Sequence, residues 1–329
     1  MTPQTDLQLD ERIRRATGAT RVESSERLQS LWGNYGELRR VQLVGARVAS
    51  AIVKSVRPPS ERQLARDPVQ LRSHRRKLRS YAVELAFYQG FAQNCDATCR
   101  APAFIHGEAY DGGFLFVLED LDQAGFPARR THCAPHEIAA CLGWLAAFHA
   151  RFLGVVPDGL WKVGTYWQLA TRPDELARLS AGPLQRAAAA IDQRLNAARF
   201  RSLVHGDAKL ENFCFSRSGP DVAAVDFQYV GGGVGVKDVA YFLSSCLSAG
   251  ECEARIPGYL ELYFGALRVA LDARGDVPVS EVTALEREWR ELFPWAWSDF
   301  YRFLSGWAKG FAGDAYSEKQ LELVLCSLR

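Results

Sequence analysis

Apolar positions along the chain recur with two different periods. Residues 1–30 are polar with scattered apolar positions, and they predict a loose tail followed by a first strand near Thr20-Arg21-Val22. Residues 31–57 predict a hairpin turning at Gly33-Asn34-Tyr35-Gly36, then a third strand through Ala49–Val53 that ends at Lys54. Residues 57–77 are arginine-rich, carry Pro58, Pro59 and Pro68, and predict an exposed connection. Leu78, Tyr81, Leu85 and Tyr88 then fall at helical spacing in 74–92, with Glu84 on their face. Phe114–Leu118 predicts a buried strand.

Beyond residue 118 the helical period dominates. Ile138, Leu142, Leu145, Phe148 and Phe152 mark an amphipathic helix over 136–153, in which His149 reads as a packed, hydrogen-bonded histidine. Residues 160–175 are irregular and aromatic, and 176–200 predict an alanine-rich helix. Phe213–Phe215 and Val222–Val225 read as the arms of a hairpin, and 238–248 as a helix that Asp238 opens and caps. Residues 286–310 concentrate aromatic side chains at helical spacing.

Composition narrows the class. The chain has 329 residues, 48% hydrophobic and 24% charged, enough for a large folded core and too apolar for a disordered one. A net charge of +2 gives no argument for nucleic acid or an anionic membrane surface. No apolar run reaches the roughly 18 residues of a membrane span, and the polar start is no secretory signal, so a cytoplasmic protein is expected. The eight cysteines form no C-x-x-C pair. Zinc is not expected, and Cys214 and Cys246, in apolar runs, read as reduced core residues.

The chemistry concentrates in 203–238. After Leu203-Val204 come His205-Gly206-Asp207, Lys209, Asn212 and, beyond the hairpin, Asp226-Phe227-Gln228. Phosphoryl transfer needs a carboxylate to orient a hydroxyl and take its proton, and a cation to meet the phosphoryl charge. It also needs a neutral oxygen and a second carboxylate for Mg2+. Asp207, Lys209, Asn212 and Asp226 supply that set in order, and the hairpin would bring Asn212 and Asp226 to one metal. The run Gly231–Gly235 lacks the strand-to-helix setting of a phosphate cradle and reads as a short link to Asp238.

His-Gly-Asp, an Asn five residues after the Asp, and then Asp-Phe-Gln resemble the aminoglycoside phosphotransferase and choline kinase superfamily. Within it they look most like the choline-kinase-like and ecdysteroid-kinase-like small-molecule kinases. The resemblance extends over about residues 15–325, with its specificity in 203–238. It implies an α+β, protein-kinase-like two-lobed fold: an antiparallel-sheet N-lobe over 1–118 and a mainly helical C-lobe over 119–329, with ATP between them. It also implies transfer of the ATP γ-phosphate to an alcohol. Asp207 would be the base, Lys209 would touch the γ-phosphate, and Asn212 and Asp226 would hold Mg2+. Lys54, paired with Glu84, would position the phosphates. Backbone groups of Glu119-Asp120-Leu121 would bind adenine, and Asp238 would brace the catalytic loop. The turn Gly33-Asn34-Tyr35-Gly36 either approaches the triphosphate or is an ordinary hairpin turn.

Gly206 stands where protein kinases carry an arginine that meets an activation-loop phosphate, so no activating phosphorylation is expected. A catalytically silent ATP-binding scaffold is the reading from another class, but none of its usual residue losses occurs here. For the acceptor, Tyr166, Trp167, Trp295, Trp297, Asp299 and Trp307 are candidates, either as packed aromatics or as a pocket wall. They favour an amphipathic or apolar hydroxylated metabolite, then a choline-like amino alcohol, then an aminoglycoside. The partner expected is a small-molecule alcohol. The sequence does not speak to oligomeric state.

Overall fold

The structure, a computed structural model, describes residues 3–61, 67–217, 219–308 and 313–329. Part of the arginine-rich connection, 62–66, lies outside the described residues, as do the last two residues of the aromatic stretch, 309 and 310. The chain divides into two compact units, Met1–Asn94 with Ala101–Ala128, and Cys95–Arg100 with Arg129–Arg329. The sequence reading divided it at 118/119.

The first unit is built on a five-stranded antiparallel sheet in the order β1-β2-β3-β5-β4. Its strands are β1 (Arg21–Ser30), β2 (Gly36–Val44), β3 (Ser50–Val56), β4 (Phe104–Tyr110) and β5 (Gly113–Glu119). Val41, Val53 and Val117 are fully buried on one face of the three inner strands, two-residue alternation placing each on the same side. The expected loose tail is instead a helix, α1 (Pro3–Thr17). Leu9 and Ile13, one turn apart, insert into that apolar face, and Arg12 pairs with Glu108 at 2.6 Å. The apolar positions Leu7, Leu9, Ile13 and Ala16, scattered in a polar segment, are too few to reveal a helix by period alone.

The next helix, α2 (Pro68–Gly90), begins six residues before the 74–92 helix, so the end of the expected connection is helical. Asp67 is the N-cap, its carboxylate accepting the Val69 and Gln70 amides at 2.9 and 3.2 Å, and Pro68 takes the first helical position. Tyr81, Glu84, Leu85 and Tyr88 face inward together.

The second unit is mainly helical. Its helices are α3 (Pro135–Arg151), α4 (Pro173–Arg178), α5 (Pro183–Asn196), α6 (Val236–Cys246), α7 (Ala249–Arg274), α8 (Val279–Trp307) and α9 (Ala315–Ser327). The expected 176–200 helix is broken in two at Gly182-Pro183, where the proline restarts it. Two small antiparallel ladders complete the unit: β6 (Ser202–Val204) with β9 (Gly231–Gly233), and β7 (Phe213–Phe215) with β8 (Val222–Ala224). The first three glycines of the short link to Asp238, Gly231–Gly233, thus form a buried strand. A Cβ on Gly231 would lie 2.2 Å from the Trp161 carbonyl oxygen, so the backbones meet where only glycine fits.

Candidate active site

In the second unit the loop after β6 is fixed from below by Asp238. Asp238 is fully buried near the start of α6; its Oδ2 accepts the His205 amide at 2.6 Å and its Oδ1 the Gly206 amide at 2.9 Å. His149 Nε2 lies 3.1 Å from Oδ2, and His149 Nδ1 meets the Tyr263 hydroxyl at 2.8 Å. Asp238 therefore braces the loop, but it does not cap the helix, which already begins at Val236. Gly206 has φ +80°, and a Cβ there would lie 2.1 Å from the Tyr229 carbonyl oxygen.

His205 is fully buried. Its Nε2 lies 3.0 Å from the Val225 carbonyl oxygen and its Nδ1 accepts the Asp207 amide at 3.2 Å, which requires the proton on Nε2. Burial holds its pKa below the ordinary value, so the ring is neutral. It is a spacer between the loop and the β7–β8 hairpin, wedged against Phe227 at 4.7 Å and edge-on to Trp144 at 6.1 Å.

Asn212 and Asp226 lie at the open end of that hairpin: Val225 N donates to Asn212 O at 2.9 Å, one step beyond the Phe213–Ala224 pair. Asn212 Nδ2 donates to the Asp207 carbonyl at 2.7 Å and to Asp207 Oδ2 at 3.2 Å. With the nitrogen so directed, the amide oxygen is the atom left for a cation. Asp226 has φ +69°, a left-handed backbone that is costly outside glycine and is typical of constrained functional positions. Burial, and then the charge of Asp226, raise the Asp207 pKa, while Lys209, Asn212 and Tyr241 oppose the rise. Among the described residues no group of three or more His, Cys, Asp or Glu side chains is placed to hold a metal ion. The donor set here is the Asp226 carboxylate and the Asn212 amide oxygen, both hard oxygen ligands, and it fits Mg2+ rather than a soft metal.

Tyr166 and Tyr241 meet beside the loop with ring centroids 5.6 Å apart, and the Tyr166 amide donates to the Gly206 carbonyl oxygen at 3.1 Å. Sequence reasoning missed Tyr241; its position three residues after Asp238 on α6 is the signal that would have found it. Tyr241 also lines a cavity of about 220 Å³, with Ser245, Trp297, Phe300, Tyr301 and Asp314. Of the six acceptor candidates only Trp297 lines it. Trp167 and Asp299 are corrected to core: both are fully buried, Trp167 Nε1 donating to Asp299 Oδ2 at 3.1 Å, while Lys237 and Arg302 neutralise the carboxylate at 3.2 and 2.9 Å. Trp295 is buried in α8, and Trp307 is half exposed and stacks on Phe303 at 5.9 Å.

In the first unit Lys54 Nζ lies 2.9 and 2.7 Å from the two carboxylate oxygens of Glu84, and both side chains are buried. Tyr81 and Phe116 present rings within 5.5 and 5.8 Å of the ammonium. At the turn, Gly33 and Asn34 have φ +70° and +59°. The Asn34 amide donates to Leu31 O at 3.0 Å, and the Tyr35 hydroxyl binds His74 Nδ1 at 2.6 Å, anchoring the turn to α2. A Cβ on Gly36 would lie 1.9 Å from Ser55 O, so this glycine serves the hairpin itself. Of the four turn residues, Asn34, Tyr35 and Gly36 thus have roles inside the fold. The same holds for side chains at the expected hinge. Glu119 Oε2 accepts the Ala103 amide at 2.9 Å, Asp120 accepts from Arg40 at 2.8 Å and Ser50 at 2.6 Å, and Leu121 is buried.

No curated protein matches the chain. Among solved structures, the amicoumacin kinase hAmiN in complex with AMP-PNP, Ca2+ and Ami is similar at TM-score 0.54 and 13% identity, covering 98% of this chain and 91% of that one. The GDP complex of wild-type aminoglycoside 2'-phosphotransferase-IIIa is similar at TM-score 0.50 and 12% identity, covering 98% of both chains. At these identities the likeness shows the fold, a kinase-like one with an antiparallel-sheet lobe and a helical lobe. The model of the phosphotransferase enzyme family matches residues 36–276. That span runs from the first residue of β2 to just past α7 and includes Lys54, Glu84, Asp207, Asn212 and Asp226, and on it the chain belongs to the phosphotransferase enzyme family, as a small-molecule kinase.

Proposed function

We propose that the protein transfers the γ-phosphate of ATP to a hydroxyl of a small molecule, with Asp207 as the base. The observation that carries this is the setting of Asp207: Asn212 Nδ2 donates to its carbonyl oxygen at 2.7 Å and to its Oδ2 at 3.2 Å. The carboxylate is held in place and its remaining acceptor capacity is available to a substrate hydroxyl. The acceptor O–H proton passes to Asp207, the oxygen forms its bond to the γ-phosphorus, and the bond to the ADP oxygen breaks. Lys209 meets the charge on the phosphoryl oxygens. Asn212 Oδ1 and the Asp226 carboxylate would hold Mg2+, which supplies charge neutralisation of the phosphates. In the first unit, Lys54, oriented by Glu84, takes the α- and β-phosphates, Gly33 is the member of the turn left for a phosphate approach, and backbone groups of Glu119–Leu121 take the adenine.

The acceptor is an amphipathic or apolar hydroxylated compound, with choline-like amino alcohols next. The cavity beside Tyr241 supports this order. Its walls are mostly apolar, with Tyr241, Trp297, Phe300 and Tyr301 among them, and the one carboxylate, of Asp314, already accepts from Ser317 N and Oγ at 2.9 and 2.7 Å. A polycationic aminoglycoside would meet too few carboxylates there. The test is ADP release from Mg-ATP across apolar alcohols, amino alcohols and aminoglycosides, with Asp207→Asn as control. Turnover with one class, lowered roughly 10²- to 10⁴-fold in the variant, is expected. Undiminished turnover in Asp207→Asn overturns the mechanism.

A further inference from the structure

Thr165 is a β-branched residue with φ +94°, a backbone angle that L side chains rarely take. It is fully buried, and among the described residues its hydroxyl has no hydrogen-bond partner. Both features cost stability. The backbone shows what the conformation achieves. The Thr165 amide donates to the Tyr229 carbonyl oxygen at 3.1 Å, and the next amide, of Tyr166, donates to the Gly206 carbonyl oxygen at 3.1 Å. Tyr229 lies three residues after Asp226, and Gly206 directly precedes Asp207. Two consecutive amides therefore reach the two segments that carry the carboxylates of the site. A left-handed residue turns successive amides toward one side, as extended backbone does not. The three backbones meet at one point: a Cβ on Gly206 would lie 2.1 Å from the Tyr229 carbonyl oxygen and 2.8 Å from the Thr165 nitrogen.

A strained residue persists only where its surroundings over-determine it, and here they do. Gly164 N donates to Gly232 O at 2.9 Å, and Arg172 Nε donates to Tyr166 O at 2.6 Å. Trp167 Nε1 donates to Asp299 Oδ2 at 3.1 Å, and Arg302 Nη2 donates to the Trp167 carbonyl oxygen at 2.8 Å. The strap 164–167 is thus fastened on both sides of Thr165. Gly206 in turn is gripped at both ends of its residue, its amide by Asp238 at 2.9 Å and its carbonyl by Tyr166. The buried cluster around Asp299 acts on the site through this strap.

We propose that Thr165 is a strained positioning residue, which ties the segment after Asp226 to the loop that carries Asp207 and so sets the spacing of the two carboxylates. The tie itself is independent of the phosphotransferase reading; its effect on turnover rests on Asp207 as base and Asp226 as metal ligand. Strain is tested first. Thr165→Gly and Thr165→Ala both remove the hydroxyl and the methyl, and only glycine takes a positive φ without strain. The glycine variant should melt above the alanine variant by about 2 °C, the reverse of the order at an unstrained position. An alanine variant that melts higher would overturn the strain.

Trp167→Phe then removes one fastening of the strap. In the wild-type background it should raise amide exchange at positions 165 and 166 several-fold, because the strained residue can relax. In the Thr165→Gly background the same replacement should raise it far less, because no strain is left to release. An equal rise in both backgrounds, or none in either, would overturn the proposal. Arg172→Met, which removes the donor to the Tyr166 carbonyl, gives the same comparison where Trp167→Phe does not fold. These measurements use the full chain without nucleotide. ADP release from Mg-ATP, with the alcohol class that turns over, reads the consequence. Trp167→Phe should lower kcat about 10-fold or more with KM for ATP unchanged, and adding Thr165→Gly should restore most of it. Full kcat in a Trp167→Phe chain whose exchange has risen, where Asp207→Asn is impaired, would refute the positioning role. Full activity in Asp207→Asn would refute the base and leave the tie standing.

Discussion

Lys54 Nζ reaches both oxygens of Glu84, at 2.9 and 2.7 Å, inside the first unit where neither side chain has appreciable access to water. Removing one partner leaves a buried charge, a loss of about 3–5 kcal/mol in buried pairs, whereas removing both leaves a neutral gap. Glu84→Gln is therefore expected to lower unfolding stability by several kcal/mol, and Lys54→Met with Glu84→Gln by less than the two single losses added. Urea unfolding of the four proteins gives the coupling directly. Additive losses would mean that the pair is screened after all. Under the proposed mechanism, both single variants also lose nucleotide turnover.

Asp207 illustrates a conflict between stability and chemistry. Burial and the charge of Asp226 hold its pKa above the ordinary carboxylate value. The sign follows: the folded state binds the proton more tightly than the unfolded chain. Ionising Asp207 therefore costs stability as pH rises from the ordinary carboxylate range through the raised value. Asp207→Asn removes that cost while abolishing the base. The variant should melt higher than wild type at about pH 9, with little difference at about pH 5, and should lose roughly 10²- to 10⁴-fold in turnover. A variant less stable than wild type at high pH would show that Asp207 is not held under strain.

Much of this arrangement was legible in the chain, for identifiable reasons. Asp207, Asn212 and Asp226 lie within twenty residues of one another, on a loop and hairpin whose apolar runs announce the strands. Lys54 and Glu84 showed because one ends a strand and the other shares an inward helix face. What escaped depends on long-range packing. The helix at Pro3–Thr17 rests on Leu9 and Ile13 meeting a sheet formed much later in the chain. Trp167 and Asp299 looked like pocket residues because both are polar-capable and aromatic-flanked. Only the fold shows that they satisfy each other, together with Lys237 and Arg302.

Asp238 should matter out of proportion to its distance from any substrate. One carboxylate accepts two consecutive backbone amides and faces His149, all in a fully buried setting. Asp238→Asn keeps the shape but can offer only one oxygen, so its amide nitrogen must face an N–H donor. The loss expected is about 2–4 kcal/mol, from an unsatisfied donor and the missing charge-assisted bonds. Hydrogen exchange at His205 and Gly206 should rise even where the variant remains folded. Exchange unchanged at both positions would show that the loop is held by other contacts.

His205 gives the fold an acid limit that lies above the ordinary carboxylate range. Burial is the main reason its pKa is below the ordinary 6.5, opposed in part by Asp238 and Asp226. The unfolded chain binds a proton near 6.5, while the folded ring stays neutral, with Nε2–H directed to Val225 O and Nδ1 accepting the Asp207 amide. Stability from this site is therefore fully present above about pH 6.5. It is lost as pH falls through that value toward the depressed one, at up to ~1.4 kcal/mol per pH unit. His205→Gln keeps a donor and an acceptor without a titrating group. Its stability should be lower than wild type at neutral pH because ring packing against Phe227 and Trp144 is lost, but it should fall less steeply between about pH 6.5 and pH 5. The measurement is denaturant unfolding at half-unit pH steps for both proteins. Parallel pH profiles would mean that the acid sensitivity arises at other groups and that His205 can take up a proton without leaving its place.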